Sequence, residues 1–488
     1  MTPEQREIRR QREKQKRRRR VMLYLLIFIL IIGGFAVALV LKLQSDHAKK
    51  EAERAAKEAE ISAEEQKIED HRTLISQAEE MAAGYDYDGA IELLESADDY
   101  DSDSEIIDAI AKYTVAKTTL QAVDVTSVPH IFFHSLIVDE SRAFDTEKWG
   151  DSTVAGINAW MTTIDEFDSI IQQMYDNGYV LVRMRDLVVE TVDADGTVHF
   201  TQNKNLMLPA GKKAYVLSVD DWSYYHSYEG KGFGDKAVVD ENGDVKVQYT
   251  DADGNVSVGD YDVVPRLNTF LKEHPDGAYK GARGMIALTG YNGVFGYRTD
   301  EDYVKQENLQ SDQKEWLEEH PDFDEEARQE EIAEATKVAE AVKASGWEFA
   351  SHTWGHLSVT GKDAATLQAD NERWVKNVAN IVGETDTIIF AHGADIGDWH
   401  DYDADTNAVY AYFNSVGYHF YANVDASTKS WVQIRDGYFR QGRIDCDGYQ
   451  MWRAISGAAK TNVFEDLFDV ESVFSSSRPT PVSAAGKA

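Results

Sequence analysis

Two fragments far apart in the chain end apolar runs in groups whose chemistry fits one divalent ion. Ala214-Tyr-Val-Leu-Ser-Val-Asp220-Asp221 is a β-type run closed by two adjacent carboxylates. Trp347-Glu-Phe-Ala-Ser351-His352-Thr-Trp-Gly-His356 is a second strand pattern, closed by two histidines four apart. Two neutral imidazoles and one carboxylate make an open three-donor set with a position left for water, as a hydrolytic metal site requires. The remaining aspartate then has a role away from the ion, taking the proton of that water. Strand ends hold such groups on a rigid rim. Each half alone is a weak signal, because acidic pairs mark turns and His-x-x-x-His is equally one face of a surface helix. Against that reading, Asp220-Asp221 closes the apolar run Tyr215-Val216-Leu217 rather than a polar turn.

The elements that must carry these groups are short. Past Val128, β-type runs alternate with amphipathic helical stretches, which predicts an α/β, barrel-like layout. Residues 190–202 and 237–260 carry Asp-Ala-Asp-Gly and Glu-Asn-Gly-Asp turns between alternating runs, and so read as hairpin insertions. These turns lack the twelve-residue ligand series and terminal glutamate of a calcium loop. Residues 300–340 read as an acidic helical insertion.

On these residues the chain resembles the polysaccharide deacetylases with a NodB-type homology domain (carbohydrate esterase family 4), over about residues 126–470. The family's Thr-Phe-Asp-Asp corresponds to Ser218-Val219-Asp220-Asp221, and its His-Ser/Thr-x-x-His is matched in full by His352-Thr353-Trp354-Gly355-His356. Its opening Tyr-His strand resembles Val128-Pro-His-Ile-Phe-Phe133-His134. Its helix followed by Gly-Tyr resembles Ile164 to Gly178-Tyr179, and its late Arg-Ile resembles Arg443-Ile444. Two motifs diverge. The third, Arg-x-Pro-Tyr or Tyr-Pro-Tyr-Gly, aligns with Ile389-Phe390-Ala391-His392-Gly393-Ala394-Asp395, which has neither arginine nor proline. The fifth, a Leu-x-His whose histidine protonates the leaving group, has no counterpart after Arg443.

The resemblance implies a distorted (β/α) barrel with hairpin and helical insertions. It implies that Asp221, His352 and His356 hold a divalent metal, zinc by default for two nitrogens and one oxygen, with cobalt, nickel or manganese as alternatives. Asp220 is then the base, and His392, with His419 second, is the positional candidate for the proton donor. Trp222, Trp354 and Trp431 are expected to line a sugar groove. The implied activity is removal of N- or O-linked acetyl from peptidoglycan or another envelope glycan, with metal-activated water attacking the acetyl carbonyl. The two diverged motifs support an alternative, a catalytically silent glycan-binding or scaffolding module of the same fold. Neither G-x-S-x-G, a Cys-His arrangement nor His-Glu-x-x-His occurs, which argues against a serine or cysteine hydrolase and a wall peptidase.

The N-terminus bounds location. Ten of the chain's 50 Lys and Arg residues fall within residues 1–20, ending in Lys16-Arg-Arg-Arg-Arg20. Val21 to Leu41 follows without a charge and, as a helix, spans a hydrocarbon layer of ~30 Å. No small-residue cleavage site follows in a polar region, so residues 21–43 are expected to be an uncleaved transmembrane helix. The basic flank is cytoplasmic and everything after about Leu43 outside. Residues 46–122 read as a helical stalk with one tetratricopeptide-like hairpin at Gly84-Tyr-Asp, a spacer because one repeat cannot bury a continuous face. Residues 471–488, rich in Ser, Pro and Ala, are expected to be disordered. The net charge of −36 argues against nucleic acid as a partner. The single cysteine, Cys446, excludes an internal disulfide and suits a Gram-positive-type surface.

Overall fold

The computed structural model describes residues 2–98, 100–425 and 427–484, and the chain divides into two compact units, 1–76 and 77–488. One helix, Pro3–Ala83, supplies all described residues of the first unit except Thr2, and its last turns belong to the second. Residues 21–43 of this helix are exposed throughout. The helix contains a stretch long and apolar enough to cross a membrane, near the N-terminus.

The second unit is built on seven parallel strands: β1 (His130–Phe133), β2 (Lys213–Asp220), β3 (Met285–Leu288), β4 (Glu348–Ser351), β5 (Thr387–Ile389), β6 (Phe420–Val424) and β7 (Tyr438–Asp445). Neighbours follow chain order, and β7 returns to β1 through the pairs Ile444↔Ile131 and Asp445↔Phe132, closing an α/β barrel. A short strand, Tyr179–Leu181, also pairs with the start of β2, and Trp431–Arg435 lies antiparallel on β7, which distorts the closure.

Every residue of β1, β3 and β7 is buried, because parallel strands are covered on both faces. Alternation sorts the two faces. Val216, Ala287, Ala350, Ile389, Ala422 and Phe439 pack together inside the barrel. Ile131, Leu217, Val219, Ile286 and Leu288 face out onto the helices Ile164–Asp176, Val263–Glu273 and Glu325–Ala344. The first of these helices starts at a capping box between Thr163 and Glu166.

The insertions take the expected forms. Val188–Val192 and Val198–Gln202 make a hairpin, and Lys236–Val239, Val245–Thr250 and Val256–Gly259 make a three-stranded meander. Asp240 and Asp251 accept N–H groups of their own turns, as plain Asx turns do. The acidic insertion holds helices Asp302–Lys305, Ser311–Glu319 and Glu325–Ala344.

Two expectations are corrected. Residues 77–122 are not a free part of a stalk. Lys280 N donates to Gly84 O at 2.7 Å, the Tyr85 hydroxyl donates to Asp276 O at 2.8 Å, and Lys280 pairs with Asp86 at 2.8 Å. Buried Ala82, Tyr85, Leu94, Ile106 and Tyr113 give this hairpin an apolar face to cover. The C-terminal stretch is not disordered over 471–484 either. A helix, Val470–Val473, leads to Arg478, whose buried guanidinium donates to both Glu166 oxygens at 2.6 Å and to the carbonyls of Asn158 and Met161. Residues 485–488 lie outside the described residues.

Candidate metal centre

The carboxyl ends of the strands form the mouth of the barrel, where α/β barrels carry their chemistry. Asp220 ends β2 and His352 follows β4. Asp221 sits at φ +58° with its N–H donating to Ala287 O of β3 at 3.1 Å, which turns its side chain over the mouth. Thr353, His356 and His392 are also left-handed, at φ +63°, +52° and +58°. Four such non-glycine residues in one place are strain that the surroundings must hold.

Asp221, His352 and His356 each offer one ligand atom, all within 4.8 Å of one another. His356 Nε2 lies 3.4 Å from Asp221 Oδ2, and His352 Nε2 lies 3.9 Å from Asp221 Oδ1. The His352 Nδ1–H donates to Ile389 O at 2.7 Å, which fixes the tautomer and leaves the Nε2 lone pair toward Asp221. Burial lowers His352 from its ordinary value, although Asp220 and Asp221 act in the opposite sense. A Tyr225 hydroxyl at 2.6 Å orients Asp221 Oδ1. Two imidazoles converging with an oriented carboxylate fit a divalent ion by donor type and spacing.

Asp220 is not in that set. Both its oxygens accept from Arg443 of β7, at 2.7 and 2.9 Å. Burial alone would raise its carboxyl, but Arg443 and then His352 outweigh this and hold it at about 2. Each oxygen keeps a second lone pair. Below the pair, Arg443 donates to Ser218 Oγ at 3.1 Å, Ser218 meets His130 at 2.9 Å, and His130 meets Gln441 at 3.2 Å. The counter-charge of Asp220 thus comes from β7. Its signal in the sequence was the polar alternation Gln441, Arg443, Asp445 inside a strand pattern.

The other expected residues divide. His392 is brought to the site, its ring 4.3 Å from that of His356, but its Nε2–H donates to His356 O at 3.1 Å. His419 precedes β6 and so stands at the far end of the strands. Trp222 lines no groove: it is 0% exposed in the core, its N–H donating to Asp262 at 3.1 Å. Trp354 is also fastened, its N–H donating to Asp300 at 2.6 Å and its ring covered by Arg373. Trp431 meets Trp399 edge-on at 4.9 Å above Arg440. Two groups with no expected role stand at the mouth. His134 follows β1 and Asp445 ends β7, and alternation from His130 and Arg443 turns both inward. His134 Nδ1 and Asp445 Oδ1 are buried without a hydrogen-bond partner among the described residues. Burial lowers His134 while Asp220 and Asp221 act to raise it, and burial with neighbouring Asp447 pushes Asp445 well above the carboxylate range.

No protein-family model matches the chain, and no curated protein does. Among solved structures, the Streptococcus pyogenes deacetylase PplD in complex with acetate matches at 12% identity and a TM-score of 0.34, over 70% of this chain and 98% of that one.

Proposed function

We propose that the chain is a membrane-anchored, metal-dependent hydrolase that removes acetyl groups from an envelope polysaccharide such as peptidoglycan. The observation that carries this reading is the convergence of three metal donors at the barrel mouth beside a fourth group, Asp220, kept ionised by Arg443. Asp221, His352 and His356 would hold the divalent ion, zinc first among those that suit the set; such an ion acidifies water and polarises a carbonyl. Asp220, turned by Arg443, accepts the proton of the attacking water. As the carbon–nitrogen bond breaks, its electron pair stays on the sugar nitrogen, which needs a proton. His134 is better placed to give it than His392, whose Nε2–H is committed to a backbone carbonyl. Residues 21–43 cross the membrane, with the basic segment on the cytoplasmic side.

The test is acetate release by the full chain in detergent, with zinc, from a panel of N- and O-acetylated glycans. Release that chelation abolishes is expected. A protein that binds zinc and releases no acetate from any glycan is a silent glycan-binding module instead. His134→Asn is expected to slow release from N-acetyl sugars about 10²–10⁴-fold. It should spare 4-nitrophenyl acetate, whose phenolate leaves without a proton, and equal loss on both substrates removes His134 from this role.

A further inference from the structure

The loop between the two candidate ligand histidines is held from outside the barrel, by residues no motif contains. Thr353 and His356 are left-handed, a conformation that a residue with a Cβ adopts only under strain. Unassisted, the loop would relax and carry His356, whose side chain is 26% exposed, away from buried His352 and Asp221. Trp354, midway between them, is gripped on every polar group. Its N–H donates to Asp370 at 2.7 Å, and its carbonyl accepts from Gly290 and Tyr291 at 2.9 and 3.1 Å. Its indole N–H donates at 2.6 Å to Asp300, which is fully buried at the start of the acidic insertion. The Arg373 guanidinium lies 3.2 Å from the ring centroid, and Asp302 of the same insertion holds that guanidinium at 2.5 Å.

We propose that Asp300, through the indole N–H of Trp354, is a positioning residue for the metal centre, so that the insertion at residues 300–340 sets how tightly the ion is retained. This rests on the metal-binding reading above but not on any substrate. Asp300 touches neither ion nor substrate and acts only by fixing where the His352–His356 loop can place its second imidazole. Partners one step behind a ligand are typically worth about 10–100-fold in metal affinity.

The experiment measures zinc affinity of the full chain in detergent by competition with a chromogenic chelator. Asp300→Ala is expected to weaken zinc about 10–100-fold. Asp300→Asn, which keeps an acceptor oxygen, is expected to bind as the parent does. Trp354→Phe keeps an aromatic ring under Arg373 and removes the N–H together with part of the indole, so it should reproduce the loss and serve if the alanine variant does not fold. The double variant Asp300→Ala/Trp354→Phe should lose no more than Asp300→Ala alone, because the indole bond is already cut there, while Asp300→Ala also frees Asp302 N, which donates to Asp300 at 2.9 Å. Zinc bound as tightly by Asp300→Ala and Trp354→Phe as by the parent overturns the proposal, and so do losses that add. A parent chain that binds no zinc overturns the metal reading itself, which is a different result.

Discussion

Asp220 and Asp221 are neighbours in sequence and opposite in circumstance: one is locked to a guanidinium, the other faces two imidazoles. Asp221→Ala is expected to abolish stoichiometric zinc together with acetate release. Asp220→Asn keeps shape and hydrogen bonding but cannot take a proton, so it should retain zinc and lose about 10²–10⁴-fold in turnover. Metal content and acetate release of the two variants decide the assignment, and zinc lost by Asp220→Asn but kept by Asp221→Ala reverses it. The three candidate donors were legible in the sequence because Asp221 and His352 directly follow strand patterns and His356 lies four residues after His352. Arg443 showed as an Arg-Ile likeness and as polar alternation in a strand pattern, but its pairing with Asp220 was not legible, because a partner 223 residues away leaves no local trace. Trp222 misled for a related reason: tryptophan beside a site residue suits a groove and a core equally, and burial is decided by elements elsewhere.

At the scale of elements, the loops after β1 and β2 are tied by one carboxylate. Asp262, capping the helix Val263–Glu273, accepts from Leu136 N at 3.0 Å, Val263 N at 2.8 Å, Trp222 Nε1 at 3.1 Å and the Tyr224 hydroxyl at 2.7 Å. Burial outweighs those four donors and pushes its carboxyl up to about 6. The folded chain thus holds a proton here that the unfolded chain releases near pH 4, so stability from this group is full below about pH 4 and is lost as pH rises to about 6. Relative to Asp262→Asn, the parent should lose on the order of 3 kcal/mol across that window, read as denaturant midpoints at pH 4 and pH 6.5. An unchanged difference between the two proteins would mean that Asp262 ionises as freely folded as unfolded. The insertions were legible because turn residues and helical periodicity are local. The docking of residues 77–122 and the Arg478 strap were not, since a short polar sequence shows its composition but not the buried Glu166 that receives it.

At the scale of the molecule, the strongest statement of the sequence is the contrast between a basic, apolar beginning and an acidic remainder with a net charge of −36 overall. The protein is expected to sediment with membranes, and protease added to intact protoplasts should remove everything after about Leu43. Recovery of a soluble form beginning near residue 45 would show cleavage instead. The order of strands around the barrel carries a further consequence. Because β7 both closes the ring on β1 and brings Arg443 to Asp220, this carboxylate lacks that counter-charge until β7 has been made. Contacts of such sequence separation form late, and a buried carboxylate stripped of its partner costs about 3–5 kcal/mol. A nascent chain emerging in order therefore holds all three metal donors before it has a closed floor beneath them. The last barrel strand to be synthesised is the one that closes the ring beneath these residues.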